Sequence, residues 1–98
     1  MESVAGMRAD QRSMSFEIEQ NRRGLVKLML KMPALRGRLQ ILSATNAGVF
    51  SLCGAFEEAS STLDRLRKED SLVEPSVIRE YETLCEDIER EIIEMCGR

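Results

Sequence analysis

The chain has 98 residues, 43% of them apolar and 32% charged, with four aromatic side chains (Phe16, Phe50, Phe56 and Tyr81) and no histidine. That balance excludes a disordered segment and a strand-rich domain, and the length excludes more than one domain, whose thin core buries roughly 60–65% of the unfolded surface. The net charge of −3 excludes the wholly basic character of a dedicated nucleic-acid-binding domain. All-α is the fold class that remains.

Residues 1–14 mix Glu2, Arg8, Asp10 and Arg12 with Ser3, Gly6 and Ser13. With no apolar period and no apolar core of a signal peptide, they read as a flexible tail preceding a single helical domain over 15–98. Ser15 is a fair N-cap for a first helix over about 16–31. Its apolar stripe is Ile18, Leu25, Leu28 and Met32, with Asn21 in the same register. Met14, Met29 and Met32 lie near this stripe; ordinary packing is the reading preferred over an adaptable docking surface. Gly24 weakens the helix by about 1 kcal/mol relative to alanine.

The central stretch, about 34–70, carries Leu35, Leu39, Leu42, Val49, Cys53, Phe56 and Leu63 at alternating steps of three and four. That is a seam laid against other helices. Pro33 either kinks the preceding helix or reverses it, and the unbroken phase of Leu28, Met32, Leu35 and Leu39 favours the kink. Asn46 and Gly48 could form a second break, which would give a compact three-helix bundle. The seam crosses them without slipping, which favours one long amphipathic helix. Asn21 and Asn46 on the seam either fix register and oligomer number or mark a break.

Ser71 to Pro75 is the clearest loop. The last helix, about 75–96, has the cleanest stripe: Ile78, Tyr81, Cys85, Ile88, Ile92 and Met95, with acids on its other face. A short loop predicts that it returns antiparallel along the central helix, as the third helix of a coiled-coil-like hairpin. At about 1.5 Å per residue it covers about 30 Å of a central helix about 55 Å long. The uncovered seam, Leu28, Leu35, Leu39, Leu42, Val49 and Phe56, is therefore the expected interface with another protein or a second copy of the chain.

Charge divides along the chain. Residues 20–56 hold six bases and no acid, whereas residues 57–96 hold thirteen acids and five bases. Arg23, Lys27, Lys31 and Arg38 share one helical sector, an electrostatic face for a partner or for the chain's own acidic helix over residues 80–94. The stretch 22–38 is also the place where nucleic acid would bind, although no aromatic is interleaved for base stacking. Cys53, Cys85 and Cys96 are too few and too scattered for a zinc site and read as reduced thiols. No nucleophile stands beside a base and no acid falls on a seam, so no catalytic residue, metal ligand or cofactor is expected. No apolar run approaches the ~20 residues of a membrane span. The expectation is a soluble intracellular protein, cytoplasmic or nuclear. It is a non-enzymatic helical interaction module that dimerises or co-assembles; the alternatives are a small chaperone or anti-activator sequestering a partner's helix, and a nucleic-acid-associated protein.

Overall fold

The computed structural model describes the backbone of residues 2–97 and, within that span, the side chains of all but residues 2–13 and Asp70. Among these residues there are four α-helices and no strand: α1 Glu2–Lys31, α2 Arg36–Thr45, α3 Ala47–Lys68 and α4 Pro75–Gly97. Two 3₁₀ turns, Pro33–Leu35 and Asp70–Leu72, lie between them. The all-α expectation holds; the three-helix count does not.

α1 ends where the sequence places its end, at Lys31, but its backbone is helical from Glu2 and runs through Ser15 without a cap. The tail expected over 1–14 falls almost wholly on 1–13, outside the described side chains. Met32, the residue before proline, leaves the helical region at φ −126° and ψ 70°, while its N–H still reaches the Leu28 carbonyl at 2.8 Å. Proline's ring forces this departure. A 3₁₀ turn then starts on Pro33, and α2 begins at Arg36.

The single helix expected over 34–70 is interrupted at Asn46, and the two pieces are bent by 115°. Asn46 is extended, at φ −129° and ψ 107°. Its N–H closes α2 on the Leu42 carbonyl at 2.8 Å. Its Oδ1 opens α3 by accepting from the N–H groups of Gly48 (2.9 Å) and Val49 (3.2 Å). One residue thus satisfies orphan groups of two helices. The seam keeps its phase across the break because Leu39 and Val49 both turn into the same core. Phase continuity therefore could not discriminate a bent pair from a straight helix. Asn46→Ala is expected to lower stability by about 1 kcal/mol and Asn46→Asp by much less, read from urea denaturation midpoints.

The core comprises Leu28 of α1, Leu39 of α2, Val49, Cys53, Phe56, Ala59 and Leu63 of α3, and Cys85, Ile88, Ile92 and Cys96 of α4. The stripe of α4 is the one read from the sequence. α3 is the element the others pack on. It crosses α1 where two glycines meet the opposite helix: a Cβ on Gly24 would stand 1.7 Å from the Cys53 carbonyl oxygen, and one on Gly54 would stand 1.9 Å from Asn21 Oδ1. Gln20 Nε2 donates to the Gly54 carbonyl at 3.1 Å at the same crossing. α4 is tied back to the other helices by Arg67–Glu82 at 3.0 Å, by Lys31–Glu89, and by Arg38 Nε donating to the Cys96 carbonyl at 3.1 Å. The molecule measures 49 × 39 × 17 Å. Its shortest dimension is little more than one helix diameter, so few side chains lie far from a surface.

Candidate interaction surface

The expected interface turns inward, whereas the expected charged face stays at the surface and pairs there with the chain's own acids. Leu28, Leu39, Val49 and Phe56 are buried within the single chain, and Leu35 and Leu42 are half-buried against the same core. The bend at Asn46 is the reason. It folds the central stretch onto itself and onto α1, so the excess seam length that called for an outside partner disappears. Each of these side chains gains its burial, roughly 1.5–3 kcal/mol, from the chain's own helices.

The basic sector is likewise engaged from within. Lys27 Nζ stands 2.8 Å from Glu57 Oε2 and donates to Ser60 Oγ (3.1 Å) and Ser61 Oγ (3.2 Å). Lys31 pairs with Glu89 and lies 5.9 Å from the centroid of the Phe56 ring, within cation–π reach. Arg23 pairs with Glu19 one turn back at 3.7 Å, and Arg38 holds the end of α4. Burial pushes the Glu57 carboxyl up, but hydrogen bonds from Lys27 and Ser61 and the charges of Lys27 and Arg23 outweigh it, holding the group below the ordinary carboxylate range. Of the two roles read for this face, pairing with the chain's own acids is the one the geometry displays.

The three cysteines are buried and unbridged. Burial is the main cause that raises each thiol, Cys53 to about 11. A thiol raised this far supplies almost no thiolate at neutral pH, so these positions pack rather than react. Among the described residues no group of three or more Cys, Asp or Glu side chains is placed to hold a metal ion, and no single helix is long and apolar enough to cross a membrane.

Several large apolar side chains remain on the surface. Phe16 is 69% exposed, Val26 51% and Leu30 75%, all on α1, and Ile41 of α2 is 63% exposed; Phe16 and Val26 border α3, each lining a cleft with Glu57. Two clefts flank α3. One, of about 250 Å³, lies against α4 and is lined by Ala55, Ala59 and Thr62 on one side and Tyr81, Leu84 and Ile88 on the other. The second, of about 330 Å³, lies against α1, with Phe16, Gln20 and Arg23 facing Ser61 and Arg65. Glu58 and Thr62 line both clefts, so the two meet along one ridge of α3. Sequence reasoning missed this surface. The available signal was the run of small residues at Ala55, Ala59 and Thr62, spaced to share one helical face.

Compared with known protein families, curated proteins and solved structures, the chain finds no match.

Proposed function

We propose that the chain is a non-enzymatic helical protein–protein interaction module, a subunit that dimerises or co-assembles into a larger complex. The observation that carries this reading is the exposure of large apolar side chains on α1, with Phe16 and Leu30 more than two-thirds accessible. Burial of such side chains against a partner would recover the apolar contact that water denies them. The interface moves accordingly, from the six seam residues to the exposed apolar side chains of α1, with Phe16, Val26 and Leu30 as anchors.

Light scattering on the full chain tests this. The expected mass exceeds the 11.1 kDa of one copy and falls to that value on Phe16→Ser with Leu30→Ser. A mass of one copy at every concentration overturns self-assembly. The chaperone-like alternative then takes its place, because the clefts beside α3 suit capture of a partner's helix by a monomer. The nucleic-acid alternative would draw on the arginines of residues 22–38, since Lys27 and Lys31 pair with Glu57 and Glu89.

A further inference from the structure

We propose that the cleft between α3 and α4 docks a basic amphipathic helix from a different protein. The inference deepens the interaction reading and rests on it. Its first support is shape. The floor is made of Ala55, Ala59 and Thr62, whose short side chains let another helix come close, and one wall presents Leu84, 45% exposed, beside half-buried Tyr81. Close approach of helix axes, about 8–10 Å, requires such small residues at the contact. A further cleft of about 300 Å³, lined by Asp87, Arg90, Glu91, Glu94 and Met95, prolongs the same edge of α4, three acids against one base that is itself paired with Asp87. From Tyr81 to Met95 that edge extends about 21 Å, the length of about four helical turns.

The second support is charge, and it decides which occupant fits. Glu80, Leu84, Asp87 and Glu91 recur at helical spacing, so acids flank the apolar wall on one face of α4. Glu58 stands on the opposite rim. Glu58, Glu80, Glu91 and Glu94 are given no ion pair among the described residues, whereas Asp87 is held by Arg90 at 3.1 Å. The chain's own Lys27 and Lys31 are held by Glu57 and Glu89, so internal pairing leaves a surplus of acid on this side. A second copy brings the same net charge of −3, so two copies repel on average, and its lysines on α1 are already paired. The complementary occupant is a foreign helix with apolar residues at i, i+4, i+7 and i+11 and Lys or Arg beside them.

The test uses the full chain and a fluorescent helical peptide of about five turns, built of leucine at that spacing and lysine elsewhere. Two controls accompany it: the same composition scrambled, and glutamate in place of every lysine. Binding by fluorescence anisotropy is expected to be at least about tenfold tighter for the amphipathic lysine peptide than for either control, and to weaken as salt is raised. Ala55→Arg with Leu84→Lys fills the cleft at exposed positions and is expected to weaken binding by about tenfold or more, with helix content unchanged. Ile93→Lys, outside the cleft, is expected to leave it unaltered. Equal binding of the scrambled peptide, or full binding by the filled-cleft variant, overturns the proposal. So does a self-assembled chain that the filled-cleft variant disperses, because the occupant is then a second copy. An oligomer that binds no peptide refutes the cleft and leaves the interaction module standing. A monomer that binds it refutes self-assembly and leaves the cleft; a monomer that binds none refutes both.

Discussion

Gly24→Ala is expected to destabilise the protein by about 2 kcal/mol, whereas Gly37→Ala, the same change one helix later, is expected to stabilise it by about 0.5 kcal/mol. Helix propensity alone favours alanine at both positions, by up to about 1 kcal/mol. Around Gly37 nothing lies within 4 Å of the added methyl, so the propensity gain stands, reduced by the position's closeness to the start of α2. At Gly24 the methyl would enter the Cys53 peptide group, 1.7 Å from its oxygen and 2.5 Å from its carbon. Backbone cannot step aside as a flexible side chain can, so α1 and α3 must separate and loosen the packing of Leu28 and Phe56 around the crossing. Overpacking of this kind costs about 1–3 kcal/mol or more. Chemical denaturation of the two variants reads opposite shifts in midpoint. Shifts of the same sign would show that α1 and α3 do not meet at this glycine.

Leu39→Glu is expected to abolish cooperative folding, whereas Leu30→Glu is expected to change stability by no more than about 0.5 kcal/mol. Leu39 is wholly inaccessible, and among the described residues the buried set contains no polar or charged residue, so the new carboxylate would be buried in an apolar core. Loss of the apolar side chain alone costs about 2–5 kcal/mol, and the unpaired charge adds to it. That sum is comparable with the whole stability of a domain of this size, about 5–10 kcal/mol. Leu30, 75% exposed, has little burial to lose. Thermal melts followed by circular dichroism separate the two outcomes. A Leu39→Glu chain that still melts cooperatively near the wild-type temperature would return Leu39 to the surface, and with it the leucine seam as an outside interface. The Leu30 variant doubles as a probe of assembly, since it removes an anchor of the proposed surface without disturbing the fold.

Residues whose meaning is local were legible in the chain. The exit at Lys31 and Met32 follows from Pro33, the loop before α4 follows from Pro75, and the buried stripe of α4 follows from its three- and four-residue steps. The pairing of basic with acidic segments was legible as a possibility, because the opposite charges are segregated along the chain. Asn46 was not resolved. Its amide can cap a helix or sit on a seam, and both uses place it in the same phase, so only the hydrogen bonds to Gly48 and Val49 distinguish them.

Gly24 shows the limit more sharply. Read alone it is a weak point in a helix; set against Cys53 it is the place where two backbones come closest. The amino-acid sequence by itself determined that this protein is helical, which faces of those helices are apolar and where proline interrupts them, because these depend on neighbours a few residues away. Only the tertiary structure decided that the long seam closes on itself, that Lys27 and Lys31 are answered from within, and that α3 and α4 leave a cleft rimmed by acids. The closing of the seam hangs on the bend of 115° at Asn46 and the cleft on the reversal between Lys68 and Pro75, and the direction of such a turn is set by what the two arms can bury together rather than by the residues at the corner.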